Sequence, residues 1–135
     1  MGGCPNSCSQ YQLGHLGLAG CALHDADGRL YPAYQLTLGG GVGPNGTRYG
    51  RSIGKLPAKA VPEAVRRLVQ RYLAERLQGE DFVGYLDRVG IDAAKALLAD
   101  LQPVPAFGEH PEYYVDWGAA RFFSLDERGE GECAV

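Results

Sequence analysis

The sequence has 135 residues, the length of one ordinary domain, and 45% of them are apolar, which is enough to build a hydrophobic core. A formal net charge of -3 excludes the strongly basic character of most nucleic-acid-binding proteins, so nucleic acid is not an expected partner. The sequence shows neither a secretory signal nor an apolar run of about 18 residues, so we expect no membrane association and a cytoplasmic location.

A dense cysteine motif, Gly3-Cys4-Pro5-Asn6-Ser7-Cys8-Ser9-Gln10, comes first along the chain. If a helix begins at Pro5, where the missing N–H costs no hydrogen bond, Cys4 lies at the cap and Cys8 one turn further on the same side. Both sulfur atoms would then lie at the positive end of the helix dipole, which favours thiolates. The spacing alone leaves two interpretations open, half of a metal site or a pair of structural cysteines.

Two strands and a turn follow the motif. Leu16–Leu23 is apolar throughout, as in a strand that is buried on both faces, and Leu30–Leu38 is rich in strand-forming residues. Asp27-Gly28 is the predicted corner between them, so we expect the two strands to form a hairpin. After a glycine-rich loop at 39–50, the segment Tyr49–Leu56 is expected to return to the same sheet.

A long amphipathic helix is predicted from Pro62 to about Gln78, with Gly79 as its C-terminal cap. A proline in the first turn and a glycine just after the last turn are both typical of helix ends. Apolar residues at spacings of three and four define the stripe that we expect to face the core: Val65, Leu68, Val69, Tyr72, Leu73 and Leu77.

Two shorter helices complete the regular structure. Asp81 is expected to cap a helix that ends at Gly90, and Asp92 to cap another that stops before Pro103. Strands first and helices afterwards predict an α+β fold, an antiparallel hairpin or sheet followed by three helices, within a single unit of residues 1–135.

The C-terminal part combines aromatic residues with a polar end. Residues from about 124–135 are polar and glycine-rich, and we predict a flexible tail there. The aromatic residues before the tail are expected to dock back onto the core: Phe107, Tyr113, Tyr114, Trp117, Phe122 and Phe123.

The segment Gly41-Val42-Gly43-Pro44-Asn45-Gly46 matches the G-x-G-x-x-G pattern of dinucleotide-binding loops. That function requires a helix directly after the loop, whose N-terminus binds the pyrophosphate. No helix is predicted there, so we reject a nucleotide site. His15 and His24 stand at turn ends and are assigned no role.

The cysteine motif and the following Leu16-Gly17-Leu18-Ala19-Gly20 resemble the second cysteine motif of sirohaem-dependent sulfite and nitrite reductases. The turn Leu38-Gly39-Gly40-Gly41-Val42-Gly43, the segment Lys55–Val65 and the segment Phe82–Gly90 resemble further parts of that family in the same order. The resemblance covers about residues 3–90. It identifies the chain as the C-terminal portion of the family's 4Fe-4S and sirohaem domain.

The resemblance implies a 4Fe-4S cluster held by two cysteine pairs, the second of which corresponds to Cys4 and Cys8. In this family the residue matching Cys8 also bridges the cluster to the sirohaem iron. The amides of Asn6 and Gln10 would hydrogen-bond to cluster sulfur or to the macrocycle. The implied activity is the six-electron reduction of sulfite to sulfide or of nitrite to ammonia, with electrons from ferredoxin or another donor.

The sequence departs from the family pattern because the first cysteine pair is absent. Cys21 lies in an apolar strand and is interpreted as an inert buried thiol, and Cys133 lies in the predicted tail. We therefore expect the isolated chain to be inactive and to hold neither cofactor completely. Its expected partner is the remainder of the reductase chain.

Alternatives remain open for the whole chain and for one basic region. One alternative is that the chain is a non-catalytic stand-alone module that binds a partner or completes its cofactor site. The other is a small zinc-binding domain in which His15 or His24 is a further ligand. A basic run is formed by Arg48, Arg51, Lys55 and Lys59, and we interpret it as a solvated surface. The alternative is contact with sirohaem carboxylates or with an acidic electron donor.

Overall fold

The computed structural model has the α+β architecture expected from the sequence. It describes three stretches of the chain: residues 1–3, 8–44 and 46–126. Within them lie five strands: β1 (Leu16–His24), β2 (Leu30–Leu38), β3 (Gly41–Gly43), β4 (Gly46–Arg48) and β5 (Arg51–Pro57). Strands β1, β2 and β5 form an antiparallel sheet with β2 in the centre, and β3 pairs with β4 in a separate two-stranded hairpin.

The predicted hairpin of β1 and β2 is confirmed, with unbroken pairing from Leu16 opposite Leu38 to His24 opposite Leu30. Its corner is built by Asp25, whose Oδ1 accepts hydrogen bonds from the backbone N–H groups of Asp27 at 2.9 Å and of Arg29 at 2.8 Å. Gly28 has a φ of 81°, a conformation that glycine adopts without strain. The turn chemistry of the sequence therefore sets the register of the hairpin.

Three α-helices follow β5 and cover one face of the sheet: α1 (Val61–Glu75), α2 (Phe82–Val89) and α3 (Ile91–Leu98). The main core lies between the helices and the even-numbered side chains of β1 and β2, such as Leu18, Leu36 and Leu38. Asp81 caps α2 as predicted, because its Oδ1 accepts a hydrogen bond from the N–H of Gly84 at 2.7 Å. None of the helices in the described stretches is long and apolar enough to cross a membrane.

Two predicted helix ends are wrong. Helix α1 ends at Glu75 rather than near Gln78, because Arg76 turns to an extended conformation with ψ at 144°, and Gly79 lies in the next turn. Asp92 is not the cap of α3. Gly90, with φ at 84°, ends α2 and begins α3 directly, so Asp92 falls in the first turn of the helix.

Of the apolar stripe predicted for α1, only Leu68 and Tyr72 pack in the main core. Leu68 is buried, whereas Val69, Leu73 and Leu77 are 44%, 58% and 58% exposed. At about 100° per residue, Val69 and Leu73 lie about 100° and 140° around the helix from Leu68. Ala64, on the other side of Leu68, is buried instead and belongs to the same core cluster as Leu68.

The opposite face of the sheet is partly covered by the C-terminal segment, defined as residues 104–126. Tyr31 and Ala33 on β2 and Tyr114 in this segment form a second buried cluster, with Phe107 packed against it. The expected docking of aromatic residues is confirmed for Tyr114 and Phe107, but Trp117 and Phe122 are more than half exposed. Most of the predicted flexible tail, residues 127–135, lies outside the described stretches.

Candidate functional site

The predicted site residues fall partly inside the described stretches. Cys8 and Gln10 are described, and both are exposed at the surface. Cys4 and Asn6 lie outside the described residues, so the shared metal centre predicted for Cys4 and Cys8 stays a prediction.

The segment before Cys4 pairs with the edge of β1. Gly2 lies parallel to Ala19, its N–H donates to the carbonyl oxygen of Leu18 at 2.7 Å, and its carbonyl oxygen accepts from the N–H of Gly20 at 2.8 Å. Gly2 is buried by this pairing. The approach to the cysteine motif is therefore held by backbone hydrogen bonds rather than by side chains.

A tight turn fixes the chain after Cys8. Gln10 has a φ of 49°, in the left-handed region that side-chain-bearing residues rarely adopt, and its carbonyl oxygen accepts from the N–H of Leu13 at 2.9 Å. A short 3-10 helix, Tyr11–Leu13, follows and leads into β1. The carbonyl oxygen of Gln12 in this turn accepts from the N–H of Gly50, which follows β4, at 2.7 Å.

Glycines on the sheet allow this turn to pack closely. A side chain at Gly17 would overlap the carbonyl oxygen of Tyr11 and the hydroxyl of Thr37. A side chain at Gly40 would overlap the carbonyl oxygen of Gln12. No packing role for these glycines was predicted from the sequence, although glycine inside a strand pattern, as at Gly17, is a signal of close backbone approach.

The described residues fit part of a cluster site. An exposed thiol at Cys8, on a turn anchored to the sheet, can bond to a group that lies outside this chain's core. The exposed side chain of Gln10 is two residues away along the chain. An open groove of about 600 Å³ borders Gly3, Gly20 and Cys21 next to the motif, so there is space beside the anchored segment.

The other described cysteine is less suited to ligation. Burial raises the pKa of the Cys21 thiol, and the charge of Lys55 and the backbone N–H of Gln35 offset this only in part. The half-buried position agrees with the interpretation of an inert thiol. Among residues 1–3, 8–44 and 46–126, no three His, Cys, Asp or Glu side chains are grouped so that they could hold a metal ion. His15 and His24 are exposed.

The basic run has partners within the protein. Arg48 donates two hydrogen bonds of 2.8 Å to the carboxylate of Asp87 in α2, and these bonds lower the pKa of Asp87. Arg51 lies 3.9 Å from the same carboxylate, and the Lys59 ammonium is 4.0 Å from the centre of the Trp117 ring. These contacts tie the β3–β4 hairpin and the C-terminal segment to the fold. A structural role therefore accounts for most of the run.

The glycine-rich loop does not have the geometry of a dinucleotide site. Its glycines belong to the hairpin of β3 and β4, and the chain continues into β5. No helix begins directly after Gly46, so the described loop lacks the helix N-terminus that a pyrophosphate requires.

Together these features define an α+β unit in which the backbone before Cys4 pairs with the edge strand β1 and the turn after Cys8 packs against the same strand. No protein-family model matches the chain. It is 31% identical to sulfite reductase (ferredoxin) 1 of Mycolicibacterium paratuberculosis over 63% of its length. It is 36% identical to the beta subunit of sulfite reductase (NADPH) of Saccharomyces cerevisiae over 67%, and 35% identical to the chloroplastic ferredoxin–nitrite reductase of Zea mays over 58%.

The fold is also similar to a solved structure, that of the Mycobacterium tuberculosis NirA protein. The two share a TM-score of 0.61 and 28% sequence identity over 67% of this chain and 17% of the other. This chain therefore corresponds to a portion of the proteins of the sulfite/nitrite reductase family. It spans 16% of the Mycolicibacterium relative, 6% of the yeast relative and 14% of the maize relative.

Proposed function

We propose that this chain is the C-terminal portion of a sirohaem-dependent sulfite or nitrite reductase, and that Cys4 and Cys8 supply the second cysteine pair of its 4Fe-4S cluster. The observation that carries the proposal is the anchored turn that follows Cys8 in a chain homologous to these reductases. An exposed thiol on a fixed backbone can bond to a cluster without unfolding its surroundings.

The residues around the motif have distinct roles in this proposal. The thiolates of Cys4 and Cys8 would both hold the cluster, and Cys8 would also be a ligand of the sirohaem iron. Asn6 and Gln10 donate hydrogen bonds to cluster sulfur or to the macrocycle, which tunes the reduction potential. When bound, the two cofactors would pass electrons from the donor to the substrate, six for the reduction of sulfite to sulfide or of nitrite to ammonia.

The proposed partners follow from the relatives. The rest of a reductase chain is the first partner, because the matched relatives are much longer than this chain. The relatives' names include both sulfite and nitrite reductases, and both ferredoxin and NADPH. We therefore propose sulfite or nitrite as the substrate and ferredoxin or another reductase component as the donor. A cytoplasmic location stays a prediction.

The proposed cysteine ligands can be tested with cadmium(II) as a probe of paired thiolates. We expect the full chain, kept anaerobic and reduced, to bind Cd²⁺ with a thiolate-to-metal charge-transfer absorbance. Cys4→Ser and Cys8→Ser should each weaken binding, because each removes one of two thiolates. Cys21→Ser is the matched control and should leave the absorbance unchanged, because the half-buried thiol of Cys21 has a raised pKa.

Two results would contradict the proposal. Binding that survives Cys8→Ser but is lost in Cys21→Ser would move the metal site to the groove. Stoichiometric zinc in the purified chain, without acid-labile sulfide, would favour the zinc-binding alternative instead.

A further inference from the structure

The described backbone on both sides of the cysteine motif rests on glycines of one strand. Before the motif, a Cβ atom added at Gly20 would lie 2.6 Å from the carbonyl oxygen of Gly3 and 3.1 Å from its carbonyl carbon. After the motif, a Cβ at Gly17 would overlap the carbonyl oxygen of Tyr11. Neither contact tolerates a side chain, since Cβ atoms do not approach backbone atoms so closely.

The two contacts hold the described backbone before and after the motif against β1. Gly17 and Gly20 are three residues apart on β1, or about 10 Å at the usual rise of an extended strand. Residues three apart on a strand point to opposite faces, so the backbone of Gly3 packs on one face of β1 and the backbone of Tyr11 on the other. Fixed ends limit the conformations that the segment can adopt before it binds a metal, which lowers the entropic cost of bringing two thiolates to one ion.

Glycine is otherwise a poor choice at these positions. A residue without a side chain weakens the interior of a strand, where β-branched residues are favoured. At Gly20 this loss of stability is offset by a hydrogen bond of 2.8 Å, which its N–H donates to the carbonyl oxygen of Gly2. The bond requires residues 2 and 3 to lie directly on β1.

We propose that Gly20 is a positioning residue for the cysteine motif: its missing side chain lets the Gly2–Gly3 backbone pack on β1 and so fixes where the metal-binding segment begins. The inference rests on the proposed metal-binding role of Cys4 and Cys8. Gly20 touches neither cofactor nor substrate in this proposal and acts only through the backbone of residues 2 and 3.

The test is a matched pair of substitutions on the two sides of one contact. Gly20→Ala places a methyl group against the carbonyl of Gly3, whereas a Cβ at Gly3 meets nothing within 4 Å, so Gly3→Ala is the control. Both are made in the full chain with Cys21→Ala and Cys133→Ser, which leaves Cys4 and Cys8 as its cysteines. The readouts are the Cd²⁺ charge-transfer spectrum and the dissociation constant for Cd²⁺.

We expect Gly20→Ala to weaken Cd²⁺ binding about tenfold, the size of effect typical for loss of a group that orients a ligand, and Gly3→Ala to leave it unchanged. A second variant, Gly2→Pro, removes the N–H that donates to Leu18 without altering the sheet, and it should weaken binding in the same direction. Far-UV circular dichroism and thermal unfolding report whether each variant keeps its fold.

The outcomes separate this inference from the proposed function. If the parent protein shows no charge-transfer band, the proposed ligands are wrong, and the inference fails with them. If the parent binds Cd²⁺ and both Gly20→Ala and Gly2→Pro bind it equally well, the cysteine ligands stand and the positioning role is overturned. Weaker binding in both variants but not in Gly3→Ala supports the positioning role.

Discussion

At the scale of single residues, the hydroxyl of Tyr114 links the C-terminal segment to the corner of the hairpin. It donates to Oδ2 of Asp25 at 2.7 Å and also lies 3.1 Å from the carbonyl oxygen of Pro105. Desolvation alone would raise the pKa of Asp25, but the hydrogen bonds from Tyr114 and from the backbone of Arg29 and Asp27 outweigh it and lower the pKa. The link therefore depends on an ionised carboxylate.

Tyr114→Phe should destabilise the protein by about 1 kcal/mol at neutral pH, because the ring still packs but the buried hydroxyl is lost. A carboxylate with a lowered folded-state pKa stabilises the fold above its unfolded pKa, about 3.9, and this contribution is lost as the pH falls through the folded value. The difference in the free energy of unfolding between wild type and variant should thus shrink below about pH 4. Urea unfolding at pH 7 and at pH 3 measures it, with Tyr113→Phe as the control.

A larger effect of Tyr114→Phe at pH 3 than at pH 7 would contradict this account. Desolvation and the neighbouring Asp25 raise the pKa of Tyr114 to about 12, so the hydroxyl is protonated across this range and does not itself titrate.

At the scale of elements, helix α1 shows what sequence periodicity can and cannot predict. Its existence, and the caps Asp81 and Gly90 of the following helix, were predictable because they depend on local chemistry. The buried side of α1 was not predictable, because apolar residues cover more than a third of the circumference of the helix. Only some of these residues pack in the main core. The assignment of Gly79 and Asp92 as helix caps was wrong, because the sequence does not show at which residue α1 ends and α3 begins.

The orientation of α1 can be tested with the same substitution on its two sides. Leu68→Ala should cost about 2–5 kcal/mol, because it opens a cavity in the main core. Leu73→Ala should change the free energy of unfolding by no more than about 0.5 kcal/mol, because this side chain is more than half exposed. Chemical unfolding of both variants checks the prediction, and equal losses would place Leu73 in a buried contact.

The chemistry of the candidate site stays a prediction from the sequence, whereas the backbone contacts around the motif could not be predicted from it. The residues Cys4, Cys8 and Gln10 follow from the motif and its resemblance to the reductase family. The contacts of Gly17, Gly20 and Gly40 with the flanking backbone depend on which segments meet across the sheet, and a single sequence carries no direct record of such meetings.

At the scale of the whole molecule, the described residues that flank the cysteine motif pack on β1, an edge strand of the sheet, and Cys8 is exposed. Helices cover one face of the sheet, and the C-terminal segment covers part of the other. The described residues beside the motif leave an open groove, and the matched relatives are several times longer than this chain. A cofactor bound to Cys8 would therefore lie between this unit and further polypeptide.

This arrangement predicts the stoichiometry of a reconstituted cluster. A 4Fe-4S cluster takes four thiolates, and the proposed ligands supply two per chain, so anaerobic reconstitution with iron and sulfide should give at most one cluster for two chains. Iron and sulfide analysis with native mass spectrometry distinguishes a bridged dimer from a loaded monomer. Cys8→Ser should abolish the cluster, whereas Cys21→Ser should not. Four irons bound tightly to a single chain would instead require both Cys21 and Cys133 as ligands, and would show that this unit holds its cluster without a partner.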